Sequence, residues 1–433
     1  MPRLALSALF VLAALASTSV ADDVVLTKGK QVVTATIGNE GFLAYQFDVG
    51  RKKPFFLPVA AAGGFDELKK RLATPGANQD LLLNSVFVIA ENAALKANAQ
   101  SSDSKGQLKF GELLVASKVE GNAVFIPEKD GWLSTKDVVP IASTVVRLIN
   151  DGVPMTKIDK KDPRYYDHPH HKGIWFSIDE VKFLTDGAAP SKHWAESHSI
   201  VNKSVEVLTP KGETAVMKVV NHWVNEKDEP QLEETTIVRI SSNRLIDYDA
   251  TLKAIGGAVE IGHTKEGMFA VRVPNSMREF MNEGKVLSDS GVETTKNLWG
   301  KPAPWIDYQG KIGDAVYAVT VMDHPGNFKP SRYHVRDYGL FAISPFGDPS
   351  YTNGEVKTPP HELKAGESVR VRYAAYPHPG DEKSAHVAEV YKKFAESKPA
   401  ESKTASNTSG YQPRYYSSSE SRRSLRASRR ASR

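Results

Sequence analysis

The sequence predicts an all-β fold, a large antiparallel β-sandwich with a small β module beside it. Two observations carry this. Runs rich in β-branched residues, mostly alternating apolar with polar, recur from Asp22 to Pro377 and are punctuated by Gly, Asn, Asp and Pro. Helical periodicity shows in only two places, Phe65–Leu72 and Ser384–Glu396. Long antiparallel strands of this kind bury one face against a second sheet.

Taken in order, the chain opens with Arg3 and an apolar run from Leu4 to Val20 that ends in Ser19-Val20-Ala21, a small-x-small cleavage pattern. Residues 1–21 therefore read as a secretory signal peptide, with export to the periplasm or the exterior. No later stretch approaches the ~20 apolar residues that span a bilayer, so no transmembrane segment is expected. Residues 22–58 supply the first strands of the sandwich, with Gln31–Ile37 the clearest. Residues 59–79 read as a helical linker. Residues 80–141 hold short strands at Ser85–Ala90, Gly111–Ala116, Asn122–Ile126 and Gly131–Leu133, and form the separate module. Residues 142–396 return to the sandwich, with strands at Ala215–Trp223, Glu234–Ile240 and Ser368–Tyr373 and the C-terminal helix. Residues 397–433 form a basic Ser/Arg tail that has no apolar area to bury and is expected to be disordered.

Charge and cysteine content exclude several classes. The formal net charge is +5, yet from Glu401 onward eight basic residues face two acidic ones, so the remainder carries −1. A near-neutral body offers no nucleic-acid surface. There is no cysteine, which removes disulfides, thiolate metal sites and thiol nucleophiles.

Three polar clusters stand at the mouths of apolar strands, where rigid scaffolds commonly present binding groups. The first is Asp167-His-Pro-His-His-Lys-Gly-Ile-Trp175. Pro169 biases His168 to an extended conformation. In an extended segment His168 and His170 share a face, and His171 points away. The second is Gly262-His-Thr-Lys-Glu-Gly267, where His263, Lys265 and Glu266 precede the strand Met268–Val273. A Glu beside His and Lys is a candidate general base. The third runs from Met322 to Phe341 and repeats the Asp-His-Pro lead as Asp323 and His324. Asn327 follows, and Arg332, His334 and Arg336 fall on one face of an extended stretch. Such rows of Arg and His suit hydroxyl or carboxylate recognition.

These stretches, with Arg336-Asp-Tyr-Gly-Leu-Phe341, resemble the PmoA-like, or methane oxygenase-like, family of exported bacterial proteins of unassigned activity. The resemblance covers about Val145 to Pro377, and Lys53–Pro58 looks like a displaced first strand of it. A membrane methane monooxygenase is not implied, because such subunits need several spanning helices. The resemblance implies an aldose-epimerase-like supersandwich, and the 80–141 module resembles a bacterial SH3-like small barrel. Two halves of one family segment, Lys53–Pro58 and Thr144–Ile149, flank the module, which is therefore expected to be an insert.

Three functions follow as expectations. The first is a carbohydrate-active enzyme of epimerase, lyase or hydrolase type. His170 or His171 would be the acid and Glu266 the base, with Asp167, His168, Lys172, Trp175, His263, Asp323, His324, Asn327, His334 and Arg336 around a small sugar or glycan. Trp175, Trp194 and Trp223 would stack on sugar faces. No cofactor is needed for that chemistry. The second is a metalloprotein with zinc or copper at His168, His170 and His263. The third is a non-catalytic glycan-binding protein whose SH3-like module recruits a wall polymer or protein partner. The three polar clusters are expected to meet in one pocket.

Overall fold

A computed structural model of the chain describes residues 23–47, 52–72, 84–140, 168, 170–184, 187, 189–281 and 284–398. The expected signal peptide, residues 399–433 of the Ser/Arg tail, Asp167 and Thr144–Ile149 lie outside the described residues.

Two large antiparallel sheets face each other. One has nine strands in the order Lys211–Gly212, Val24–Lys28, Val32–Ile37, Glu40–Gln46, Phe55–Val59, Ile174–Ile178, Gly267–Arg272, Leu340–Ser344 and Arg332–Val335. The other has eight, in the order Ile200–Thr209, Thr214–Val224, Pro230–Ser241, Ile246–Ala254, Ser368–Pro379, Ala315–Asp323, Trp305–Ile312 and Lys285–Ser288. Their facing sides share one hydrophobic core, with Phe56, Ile174, Phe176, Phe269, Val271, Phe341 and Ile343 from the first sheet. Val219, Trp223, Val238, Ala250, Val321 and Val371 come from the second. The antiparallel β-sandwich read from the alternation is the observed fold.

Alternation also explains the other face of the nine-stranded sheet. Phe55, Leu57, Trp175, Ala270, Leu340 and Ala342 point away from the main core into a second, smaller one. Each neighbours a main-core residue in its strand, as period two requires. Apolar on both faces, the central strands read as continuous hydrophobic runs.

The small module has a five-stranded sheet ordered Ser104–Lys109, Asn92–Lys96, Gly131–Ser134, Ala123–Ile126 and Lys118–Glu120. A three-stranded sheet of Val138–Pro140, Asn84–Val88 and Leu113–Ala116 completes it. Val86, Val88, Leu95, Leu114, Val124, Ile126 and Leu133 form its own core, the mark of a unit with separate packing. Phe87 and Ile89 alternate to the opposite side and join the second core on the sandwich. Gly41 permits this seating, since a Cβ there would lie 2.4 Å from the Phe110 ring. Gln46 adds a polar tie by donating to the carbonyls of Leu57 (3.1 Å) and Gly111 (3.0 Å). Phe55–Val59 and Ile174–Ile178 are paired neighbours in the sheet, with Ile174 opposite Phe56, although the module lies between them in the chain.

The predicted helices appear as Gly64–Leu72 and Val387–Glu396. The second buries Val387 and Phe394 against Trp305, Met322, Ala374 and Tyr376 on the outer side of the eight-stranded sheet.

Candidate functional site

The register of the nine-stranded sheet places one row of side chains across its outer face. Phe55 lies opposite Trp175, Trp175 opposite Ala270, Ala270 opposite Ala342, and Ala342 opposite His334. Two alanines between a tryptophan and a histidine leave room for side chains from neighbouring loops to pack down onto the sheet. His168, His170, His171 and Lys172 of the first cluster, Lys265 and Glu266 of the second, and His334 and Arg336 of the third gather there.

The histidine segment is a turn, which corrects the extended reading. The amide of His171 donates to the carbonyl of His168 (3.1 Å), so the chain folds back and all three imidazoles meet. His168 stacks on His171 at 4.5 Å with 4° between planes, and His170 stands edge-on to His171 at 4.6 Å. His171 stacks on Trp175 at 5.2 Å, and His168 on Tyr338 at 5.0 Å. Gly173 makes the approach possible. Its φ is +60°, and a Cβ would lie 2.1 Å from the carbonyl oxygen of Phe56, a clash that only glycine avoids.

A buried layer of cations and carboxylates supports the imidazoles. Lys53 is fully buried, donates to the Trp194 carbonyl (2.9 Å), pairs with Glu196 (3.4 Å), and lies 5.3 Å from the Trp175 ring centre. Glu196 also pairs with Lys172 at 2.6 Å. Arg272 lies 3.2 Å from Nδ1 of His171 and 5.4 Å from the Tyr338 ring centre. Asp179 accepts from the amides of Trp194 (2.8 Å) and Ala195 (3.2 Å).

Glu266 enters from the adjacent strand end, where its carbonyl accepts from the Asp179 amide (3.0 Å). Its carboxylate binds Lys265 at 2.7 Å and lies 3.9 Å from Nδ1 of His334. His334 and Tyr351 both hydrogen-bond the Lys265 carbonyl, at 2.9 and 3.0 Å. These bonds fix the Lys265-Glu266 backbone, while the Glu266 side chain stays partly exposed. His168 and His170 are half-buried, and Arg336 is exposed over the Tyr338 ring at 5.7 Å.

Burial and the cation layer set the protonation states. Burial, then the charge of Lys53, pushes His170 down to about 3. Burial and the Arg272 guanidinium hold His171 well below the usual imidazole range. Burial pushes His334 down to about 4, against the pull of Glu266. Burial, aided by the charge of Glu266, lifts Asp179 to about 6, and burial lowers Lys53 to about 7. The histidines expected to donate protons are thus neutral at neutral pH. Asp179, a group the sequence reading passed over, holds its proton into the mildly acidic range.

Several expected residues lie elsewhere or have other duties. Asp323, His324 and Asn327 do not join the first cluster. Asp323 accepts from Asn327 Nδ2 (2.7 Å) and the Ser331 amide (2.8 Å). His324 packs edge-on against Phe394 of the C-terminal helix (5.1 Å) and lies 3.3 Å from an Arg372 nitrogen. That network ties the helix to the eight-stranded sheet, so the single-pocket expectation fails for these three. His263 offers its carbonyl to Ser350 (3.3 Å). Trp175, Trp194 and Trp223 are buried at 0–1% exposure and cannot stack on a sugar; the first two form a platform under the histidines, and Trp223 lies in the main core. Among the described residues no three His, Asp or Glu side chains are grouped to hold a metal ion, and His168, His170 and His263 form no such set. No described helix is long and apolar enough to cross a membrane.

Sequence reasoning missed Lys53, Asp179, Glu196 and Arg272. Arg272 carried a signal, an arginine inside an otherwise apolar strand.

A family model described as Family of unknown function (DUF6807) matches residues 149–392. No curated protein matches the chain. Among solved structures, a GH36 alpha-galactosidase from Geobacillus stearothermophilus in complex with 1-deoxygalactonojirimycin aligns with a TM-score of 0.30 and 12% identity, over 55% of this chain and 35% of that one. An alpha-galactosidase from Lactobacillus brevis aligns at 0.31 and 8% identity, over 68% and 39%. The chain thus spans well under half the length of these two enzymes. A galactose 1-epimerase from Lactobacillus acidophilus NCFM aligns at 0.28 and 8% identity, over 83% and 99%. Likenesses of this strength carry no argument about ligand or activity.

Proposed function

The chain belongs to the family of unknown function DUF6807, and from the site itself we propose that it is an exported enzyme of acid–base chemistry on a sugar. The observation that carries the reading is that Glu266 and Asp179 stand at two adjoining strand ends, joined backbone to backbone (3.0 Å), beside the histidine turn. One carboxylate is partly exposed and salt-bridged, whereas the other is buried and lifted to about 6. A buried carboxyl that holds its proton into the mildly acidic range suits the part of the acid. Glu266 takes a proton from a sugar hydroxyl or carbon, and Asp179 returns one. Neutral His170 positions hydroxyls as donor and acceptor, which a protonated imidazole does less well, and His168 lies beside it. Epimerase, lyase and hydrolase reactions all use such a pair.

Glu266→Gln tests this. Gln keeps the shape and an acceptor oxygen but takes no proton. With a glycan panel first used to find a ligand, turnover per folded molecule is expected to fall ~10²–10⁴-fold with binding retained. If Glu266→Gln lowers the melting temperature and leaves turnover unchanged, Glu266 is an ion-pair partner of Lys265 and the mechanism fails. If the native chain binds glycans and turns none over, it is a binding protein, the reading that the 2.7 Å Lys265 pair favours.

A further inference from the structure

We propose that the ligand of this site is an anionic sugar, one bearing a carboxylate, sulfate or phosphate group that Arg336 binds; this rests on the sugar reading above. The first argument is charge. Lys172 pairs with Glu196 and Lys265 with Glu266, and Arg336 adds a cation at the exposed edge of the cluster. A cation at the edge of a binding cluster draws an anion in.

The second argument is the state of Arg336. Lys53 and Lys172 share Glu196, and Lys265 holds Glu266. Arg336 is exposed and makes no ion pair with a described residue, and its guanidinium lies over the Tyr338 ring. The same ring receives Arg272 at 5.4 Å and stacks on His168 at 5.0 Å. An arginine over an aromatic face is oriented before binding and offers a fork of donors suited to an oxyanion. Its position beside His168 puts that fork at the edge of the cluster the sugar would occupy.

The test uses the whole chain and calorimetric titration with matched neutral and acidic oligosaccharides: glucose- and galactose-based, their uronic acids, and their 6-sulfates and 6-phosphates. At least one acidic form is expected to bind roughly 10- to 100-fold tighter than its neutral partner, the range for a charge-assisted hydrogen bond. Which of the three acid groups gains most identifies the anion. Arg336→Gln, at an exposed position, should erase that gain. Equal affinity for neutral and acidic forms overturns the proposal and leaves the sugar reading intact. A gain that survives in Arg336→Gln overturns the role of Arg336. If acetate, sulfate or inorganic phosphate binds as tightly as any acidic sugar, the sugar reading fails and only the anion preference stands. If no oligosaccharide binds at millimolar concentration, both fail.

Discussion

Replacing Lys53 with methionine should remove a pH dependence of stability that the native chain shows on the alkaline side. Lys53 has no exposed surface, and burial lowers it from 10.5 to about 7 despite the opposing charge of Glu196. In the unfolded chain it regains the ordinary value. Between these two values the unfolded state binds more protons than the folded one, so stability rises with pH. At pH 7 the difference penalises the fold by about 4 kcal/mol, and at pH 9 by about 2 kcal/mol. The native chain should therefore gain about 2 kcal/mol over that interval. No other group with a resolved shift titrates there: the shifted histidines and Asp179 lie below it, and the shifted tyrosines above. Lys53→Met keeps the apolar stem over Trp175 and leaves Lys172 to hold Glu196 at 2.6 Å. Urea unfolding at several pH values, followed by tryptophan fluorescence, gives both slopes. Parallel slopes in the native chain and the variant would refute the reasoning. Lys53 would then keep its charge throughout, held by Glu196.

The remaining predictions concern the scaffold. Gly173→Ala should cost about 3 kcal/mol or more, because it combines a positive φ with a Cβ 2.1 Å from the Phe56 carbonyl. A melting temperature within a degree of native would contradict the close strand approach. On the acid side, His170 and His193 titrate in the fold at about 3, and His324 and His334 at about 4. All four lie below the unfolded value of 6.5, so their stabilising effect is whole above it and is lost as pH falls towards 4. Each weakens the fold by up to about 1.4 kcal/mol per pH unit. Asp179, raised to about 6, and Asp289, raised by burial, act oppositely, since their effect is lost as pH rises, but burial also lowers His171 and His361, so the histidines outnumber them. A melting temperature that holds level from pH 6.5 to 4.5 would show that these histidines are protonated in the fold.

The sandwich was legible because alternation is a property of single strands. Thr214–Val224 alternates buried with half-buried residues along nearly its whole length, and Pro230–Ser241 does nearly the same. The site was legible only in part. His170, His171, Lys172, Glu266, His334 and Arg336 sit in dense polar runs that stand out against apolar strands. Lys53, Glu196 and Asp179 are isolated in sequence, and their association depends on strand pairings between distant segments. The third cluster misled for a related reason. Asp323 and His324 repeat the Asp-His-Pro lead of the first cluster, but they end a strand of the other sheet, where Arg372 and Phe394 absorb them. A local motif specifies a chemistry and a turn; which sheet carries it is a matter of topology.

That distinction also explains why the outer face of the nine-stranded sheet can hold charged groups at all. An outward face in a sandwich is ordinarily wet, and in water a lysine beside a histidine perturbs it little. Here Phe87 and Ile89 of the small module, with Phe65 and Leu113 packed partly buried beside them, cover Phe55 and Leu57 at one side of that face. Trp175 and Trp194 complete the cover, and Lys53 lies beneath them. The module thereby makes an interior out of what would be surface, and the field of Lys53 reaches His170 and His171 through protein instead of solvent. The neutral imidazoles and the raised carboxyl of Asp179 both follow from that exclusion of water. The module and the candidate site are therefore one physical device: its apolar side supplies the low dielectric, and the histidine turn with Glu266 supplies the polar groups whose behaviour the low dielectric alters.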